Sequence, residues 1–501
     1  MYQKKSYLYI LFILIFALVL RLPALLNRGG FWLDEIFSSL VAQLSLADSF
    51  KYLIWENNPP LHFWFLHFWG AVFGFSEFAL RFSSIIVNLL ATIVSYLFAK
   101  KLFQSRRIGY LTALINASAY FQVFISTEAR MYSLLYLLSL LALYFFYLYL
   151  NSVRNKFLIL NLFFTVLALY THLTGFYILL IENLIFIYYV YKGKKPLIKQ
   201  WIINQCAVFL LYLPWLIVFF QTKLATFNRQ AWYFYNNDTD FYPWFLLKQF
   251  LFFTGTENIF ELIFFLFFIV AFLFFICKIS FREKILTVVG NFSLNKLLII
   301  LIILVPLMVG FILNISIAKY FILSAFGVYV VAAVFLDQLL AVSKKSFNIF
   351  IITLLIILFI IPGINNFNIS LYNWPEVFSF IEQKERTGDV IVLAPNVLWV
   401  PYKYYYQGRL TAEVVPKFSD NDFLRESFKT NWNVSISDSD LKTLDLSMVD
   451  KKRIFLISGR NDTIIKDDLV FMWFLKKGWL VEEITFFKGI YDYKVVTLFK
   501  L

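Results

Sequence analysis

The chain of 501 residues is 61% hydrophobic, 21% aromatic and only 15% charged. Soluble globular domains carry about 25% charged residues, so the composition excludes an ordinary soluble enzyme and indicates a polytopic membrane protein. The net charge of +14 does not call for a nucleic-acid partner: from Trp374 onward 18 acids balance 18 bases, and the first 373 residues hold the other 13 acids and 27 bases, as loop charges that orient membrane spans do.

The fold class read from this is an all-α polytopic membrane protein with about 11 transmembrane helices and a small α/β extracytoplasmic C-terminal domain. A span needs roughly 20 apolar residues. Suitable runs lie near 6–26, 78–99, 108–126, 131–150, 157–172, 174–191, 201–220, 258–277, 297–314, 320–341 and 347–364. The first lacks a small-residue cleavage site and is expected to remain as a helix. With a cytoplasmic N-terminus, the inside loops contain 18 of the 27 bases, which satisfies the positive-inside pattern. The protein is then expected in the cell (plasma or inner) membrane, with everything after about residue 364 outside. The division is residues 1–364 as the membrane domain, with a large first outer loop at 27–77, and 365–501 as the outer domain.

Beyond the first run comes "GFWLDEIFSS", where Asp34 and Glu35 sit together among Phe, Trp, Leu and Ile. Acids favour a helix N-terminus, so the pair can simply open the next helix. The alternative is chemistry, because ionised groups near a bilayer are costly and usually face a cavity or a partner. Next comes "WENNPPLHFW", with Glu56, Asn57 and Asn58 ahead of Pro59–Pro60. Pro at the first helical position predicts a short interfacial helix near 61–73. His62 and His67 lie five apart, too far round one helix to share a metal. In "FGFSEFALRF", Glu77 and Arg81 are spaced to pair on one helix face. "STEARMYS" brings Glu128, Arg130 and Tyr132 to the outer side, "LYTHLTGFY" adds His172, and "NISIAKYF" adds Lys319 and Tyr320. The outer loop "QTKLATFNRQAWYFYNNDTDFYPW" carries Lys223 and Arg229, with Lys248 just after it; it reads as a cover for a cavity or as a headgroup-facing belt. Cys206 and Cys277 lie in separate apolar runs and imply neither disulfide nor metal.

Polar groups of the membrane part therefore gather toward the outer side, which suggests an outward-facing cavity. A carboxylate in a semi-apolar pocket can accept a hydroxyl proton, and Arg130, Lys319 and Arg81 can hold a phosphate. One base and phosphate-binding cations are what sugar transfer from a lipid phosphate requires. The tail from Trp374 carries strand-like runs in "DVIVLAP", "RIFLISGR" and "YDYKVVTLFKL", and helical periodicity in "WPEVFSFIEQKERTGD" and "DDLVFMWFLKKG".

The succession "R-x-P…FWLDE", "NNPPLHFWFLHFWGAVFGFSEFALRFSS", "STEARMYSLL" and "YTHLTGFY" resembles the bacterial family 39 glycosyltransferase-like proteins, relatives of protein O-mannosyltransferases and lipid A aminoarabinose transferases in the GT-C superfamily. The resemblance is strongest over residues 21–185 and continues more weakly to the helix near 340. It implies a multi-spanning enzyme that takes sugar from a polyprenyl-phosphate donor and inverts the anomeric centre. The acceptor is a hydroxyl of a glycan, lipid or protein. In that pattern Asp34 is the catalytic base and Glu35 supports it. Glu128, Arg130, Tyr132, His172, Lys319, Tyr320, Arg81 and Asn58 line the substrate and phosphate site. No cofactor is required, although a divalent cation beside Asp34 and Glu128 is compatible with the pattern. Two departures stand out. Lys319–Tyr320 replaces a frequent Arg-Tyr, and Asn57–Asn58 replaces a Glu-Lys found in aminoarabinose transferases, which argues against lipid A as acceptor. The rival readings are a lipid-linked sugar flippase, which expects polar residues spread along the spans, and a non-enzymatic envelope scaffold.

Overall fold

The computed structural model describes residues 2–56, 58–193, 197–227, 250, 259–282, 285–290, 293–315, 317–342, 372–418, 436–459, 469–487 and 493–500. Asn57, Arg229, Lys248, most of the aromatic outer loop and the run near 347–364 lie outside these residues. The chain divides into two compact units. One comprises Met1–Leu25, Asn58–Phe65 and Phe78–Asn366; the other comprises Leu26–Asn57, Leu66–Glu77 and Phe367–Leu501.

The first unit is helical. Its long elements are α1 (Tyr2–Leu26), α5 (Glu77–Phe103), α6 (Arg106–Ser118), α7 (Tyr120–Ser126), α8 (Tyr132–Ser152), α9 (Asn155–Leu169), α10 (Phe176–Tyr191), α11 (Ile198–Phe227), α12 (Ile259–Ile276), α13 (Leu294–Leu313) and α14 (Ile322–Val342). Preceding α5 are α2 (Leu33–Ala42), α3 (Leu46–Leu53) and α4 (Leu61–Phe73). Among the described residues, seven helices are long and apolar enough to cross a membrane, and the bent pair α6–α7 makes an eighth. α9 is apolar but shorter. An antiparallel hairpin, β1 (Cys277–Arg282) and β2 (Ile285–Gly290), joins α12 to α13; no strand was expected there.

The α6–α7 pair bends by 59° at Ala119, whose φ −58° and ψ 124° leave the helical region. A helix break inside an apolar unit strands backbone carbonyls that water cannot reach. Arg21 of α1, fully buried, supplies the donors. Its guanidinium gives hydrogen bonds to the carbonyl of Ala117 (2.8 Å), the side-chain oxygen of Asn88 (2.8 Å) and its own helix at Ala17 (2.9 Å). The Asn88 amide then donates to Gln122 on α7 (2.9 Å). One turn away, Asn116 donates to Thr92 (2.8 Å) and accepts from the Tyr136 hydroxyl (2.7 Å). A separate cluster links α9, α10 and α11: Asn161 donates to Glu182 (2.5 Å) and Asn204 donates to Asn161 (3.2 Å).

These buried polar groups correct the expectation that polarity in the spans gathers at their outer ends. Glu182, in "LLIENLIF", is an acid at mid-helix, and the amides and hydroxyls of the other networks lie equally deep in sequence within their helices. A survey of charged residues alone misses Asn, Gln, Thr and Tyr, which tie helices together in hydrocarbon by bonding one another.

The second unit contains a five-stranded sheet of order β4-β3-β5-β7-β6, built from β3 (Val390–Ala394), β4 (Ala412–Val414), β5 (Arg453–Gly459), β6 (Leu480–Phe487) and β7 (Tyr493–Phe499). β3 runs parallel to both β4 and β5, and β7 is antiparallel to β5 and β6. The helices α15 (Trp374–Lys384), α16 (Trp399–Tyr405), α17 (Asp438–Ser447) and α18 (Leu469–Lys476) complete it. Val390, Val392, Leu456, Val496, Phe474 and Trp479 share one core. α18 stops at Gly478, whose φ of +82° is open to glycine at little cost. Arg453 at the start of β5 bonds both Asp389 (2.7 Å) and Glu482 (2.6 Å), and β6 carries a bulge between Val481 and Glu483. Both expected helices and all three expected strands are present. β4 and β6 were not expected, since β4 has three residues and β6 is a largely exposed strand.

Removing the Arg21 guanidinium leaves Asn88 and the Ala117 carbonyl buried without a charged donor. Arg21→Met is therefore expected to destabilise the helical unit by about 3 kcal/mol, seen as a lowered unfolding midpoint in detergent. Arg21→Lys, which reaches fewer acceptors, is expected to fall between.

Candidate active site

α7 ends where Ser126 and Thr127 turn their hydroxyls back onto the carbonyls of Val123 (2.8 Å) and Phe124 (3.0 Å). These bonds satisfy groups that the end of a helix leaves without partners. The chain then passes through Glu128, Ala129, Arg130 and Met131, all buried, before α8 begins. Opposite lies the turn between α13 and α14. Asn314 closes α13 with a left-handed φ of 50°, and a short 3-10 turn, Ala318–Phe321, carries Lys319 and Tyr320.

The Lys319 ammonium meets both carboxylate oxygens of Glu128, at 2.7 and 2.8 Å. It also lies over the rings of Phe124 (5.2 Å) and Tyr132 (5.5 Å), where the ring quadrupole favours a cation. Glu128 is 2% exposed and the Lys319 side chain 16%. Buried partners of opposite charge are expensive to separate, so Glu128 fixes the Lys319 head rather than leaving it mobile. Glu128 and Lys319 cancel. Arg130, 4% exposed, leaves these three residues with a net positive charge.

His172 occupies the turn between α9 and α10. Its Nδ1 accepts from the Thr174 amide (3.1 Å) and lies 2.8 Å from the Thr174 hydroxyl, which puts the ring proton on Nε2. Its ring packs against Tyr320 (5.1 Å) and Tyr132 (5.8 Å), and those two tyrosines face each other at 6.5 Å. Burial, reinforced by the Arg130 charge, lowers the His172 imidazole from 6.5 to about 3. The same two causes lower His62 to about 3, and its Nε2 stands 3.3 Å from the carbonyl of Ala129. Both rings are neutral at pH 7.

Thus the structure gathers Glu128, Arg130, Tyr132, His172, Lys319 and Tyr320. Asn58 sits just ahead of Pro59 and Pro60, and the α4 start is tied to the turn before His172 by the Leu61 amide donating to Tyr170 (3.0 Å). Arg81 is buried one turn into α5. Three contributors escaped the sequence reading: His62, set aside once a metal pair was excluded; Phe124, one aromatic among many; and Thr174, which orients His172. The position of His62 two residues after Pro-Pro was its only signal.

Asp34 and Glu35 belong to the other unit. Glu35 is fully buried; its carboxylate accepts from the Trp32 amide at 3.3 Å, while its own amide donates to the Trp32 carbonyl at 2.9 Å. This reciprocal pair opens α2 as a helix-capping acid does. Asp34 is half-buried in the first turn of α2, and its carbonyl accepts from Ser38 (2.7 Å). Among the described residues no three His, Cys, Asp or Glu side chains converge as metal ligands, and the Glu128 carboxylate is already bonded to an ammonium group.

This architecture, spanning helices with a bent third span and a small C-terminal sheet, is an ArnT-like fold. Over 98% of both chains it is similar to ArnT from Cupriavidus metallidurans, solved bound to undecaprenyl phosphate (TM-score 0.62, 13% identity). It is also similar to the oligosaccharyltransferase AglB from Archaeoglobus fulgidus, solved with an inhibitory peptide and a dolichol-phosphate (TM-score 0.54, 12% identity, 91% of this chain and 69% of that one). A second structure of the archaeal enzyme, with Zn and sulfate, gives the same TM-score of 0.54 at 12% identity, over 89% of this chain and 67% of that one. Residues 57–219 match the family model of dolichyl-phosphate-mannose-protein mannosyltransferases. The likeness to these structures is one of fold, and the mannosyltransferase family model matches about a third of the chain, from α4 to α11. No curated protein matches it in sequence.

A histidine with a depressed pKa resists a proton that the unfolded chain takes up. Stability tied to His172 is thus present above pH 6.5 and lost as pH falls from 6.5 toward about 3, by up to about 1.4 kcal/mol per pH unit. His172→Phe is expected to flatten the decline of the unfolding midpoint between pH 6.5 and 4; an unchanged slope would show that the ring protonates in place.

Proposed function

We propose that the protein is a membrane glycosyltransferase. It moves a sugar from a polyprenyl-phosphate donor to an acceptor hydroxyl on the outer side of the cell membrane, with inversion at C1. The observation that carries this reading is the buried cluster of Arg130, Lys319 and Glu128 walled by Phe124, Tyr132, His172 and Tyr320. The three charged side chains named here sum to one positive charge among aromatic rings, as suits a phosphate next to a sugar ring and an isoprenoid tail. The fold and the family match support the same class, and two structures similar to this chain were solved with a polyprenyl or dolichyl phosphate.

In this reading the acceptor oxygen attacks C1 and its proton passes to the Asp34 carboxylate. The bond from C1 to the phosphate oxygen breaks, and its electron pair leaves with the polyprenyl phosphate. That group is a good anion and needs no proton from an acid. Arg130 offers a planar fork to its oxygens, while Lys319 acts as a point charge held in place by Glu128. Fixed cations in a site shielded from water stabilise developing charge without reorganising. The neutral His62 and His172 add no positive charge, so the field on the phosphate comes from the arginine and lysine. Glu35 serves Asp34 through the backbone, by fixing the first turn of α2. No step passes through a metal ion.

The test is transfer by the purified protein in detergent, supplied with undecaprenyl-phosphate hexoses and pentoses and read as release of undecaprenyl phosphate. A flippase releases none. Asp34→Asn is expected to lower turnover at least about 100-fold, the usual size of a general-base contribution; near-normal turnover would remove Asp34 from the mechanism. Lys319→Arg is expected to retain activity, whereas Lys319→Met takes the ammonium group away from the buried Glu128 carboxylate and should lose both turnover and stability.

A further inference from the structure

The second unit contains the sheet and also the turn that carries Asp34. Within it, α16, the "WVPYKYY" helix, meets the chain at both ends of the first outer loop. At the start of the loop, the Phe31 amide donates to the Tyr405 hydroxyl at 2.6 Å, and the Phe31 ring packs on Tyr404 at 5.7 Å. At its end, the Tyr405 hydroxyl donates to the carboxylate of Glu77 and the Tyr404 hydroxyl donates to the carbonyl of Phe75 at 3.3 Å. The neighbouring Gly30 donates its amide to the Tyr372 carbonyl at 2.9 Å. A Cβ at Gly30 would stand 2.9 Å from Pro375, 3.1 Å from that carbonyl and 3.1 Å from the Tyr405 hydroxyl. The backbone therefore approaches closely where a side chain would push it off.

We infer that Tyr405, with Tyr404, is a positioning device: the C-terminal domain holds the turn bearing Asp34 through the Phe31–Tyr405–Glu77 hydrogen-bond chain. The inference rests on the reading of Asp34 as the base, and it assigns the domain a role in placing that base. Phe31 is three residues before Asp34, and only Trp32 and Leu33 separate it from the acid. Tyr405 bridges a fixed amide and a fixed carboxylate, so its hydroxyl has one orientation. Burial and the nearby Glu77 charge raise its pKa, which keeps the proton on the oxygen that donates to Glu77. Glu77 is thereby engaged by the C-terminal domain, a partner that its spacing to Arg81 does not reveal.

The experiment has two arms. In the full-length protein in detergent, hydrogen–deuterium exchange is read on the peptide covering residues 29–36. Tyr405→Phe, which keeps the ring and deletes only the hydroxyl, is expected to speed exchange there at least about tenfold while peptides of α8 and α14 stay unchanged. Unchanged exchange at residues 29–36 overturns the inference. Glu77→Gln, which weakens the acceptor without changing volume, is expected to give a smaller increase and stands in if the tyrosine variant does not accumulate. In the second arm, turnover is measured by undecaprenyl phosphate release. Tyr405→Phe is expected to reduce kcat about tenfold with the donor KM within about twofold, since misplacing a catalytic group costs rate rather than binding. A packing role alone would lower the unfolding midpoint and leave kcat of the folded fraction intact. If Asp34→Asn turns over normally, the reading of Asp34 falls while the exchange arm still judges the clamp. If Asp34→Asn is inactive and Tyr405→Phe keeps full kcat, the positioning role falls alone.

Discussion

An arginine buried among apolar helices must find acceptors, and a helix that breaks there must find donors. Arg21 and the α6–α7 break meet both needs at once. Without the guanidinium on Ala117 and Asn88, the 59° bend would leave open carbonyls in a medium that offers no water. With it, the bend becomes a stable direction change. α7 then delivers Phe124, Glu128 and Arg130 as a rigid group, since Gln122 is bonded into the same network through Asn88. The cluster proposed to receive the phosphate depends on this hidden joint at one remove.

The cluster itself shows how a small set of charges is kept useful. An unpaired lysine in such surroundings would shed its proton or swing toward solvent. Glu128 prevents both, and the aromatic rings on either side take up the remaining faces. The arginine is the member whose charge reaches furthest: it depresses two histidines from different segments, α4 and the turn before α10. Those neutral rings line the site without competing for an anion. Their value is in shape and directed hydrogen bonds, as the Thr174 contact to His172 illustrates.

The membrane class and the C-terminal strands and helices were plain in the sequence, because long apolar runs and changes of period survive without tertiary information. Glu128, Arg130, His172 and Lys319 drew notice for a related reason: acids, bases and histidine at the ends of apolar runs are rare and hard to hide. What could not be read is what depends on distance. Lys319 lies 191 positions from Glu128, and no local pattern joins them. The exposed strand β6, with Glu482 and Glu483 at its centre, lacks the alternation that marks a half-buried strand. Glu182 sits at mid-helix rather than at the end of an apolar run, and nothing local in the sequence shows its bond to Asn161, 21 positions away. Glu35 was read as an aide to Asp34, and its carboxylate accepts from the Trp32 amide, a local bond that the three-residue spacing already allowed.

The sheet ends in two blunted margins. β4 offers three residues, and β6 is interrupted by its bulge and studded with acids, one of which is bonded to Arg453. Long flat edges recruit strands from other molecules, and twist, charge and brevity discourage that. Such margins leave the sheet closed on its own residues, and its open sides repel a stranger's backbone before a fibre can nucleate.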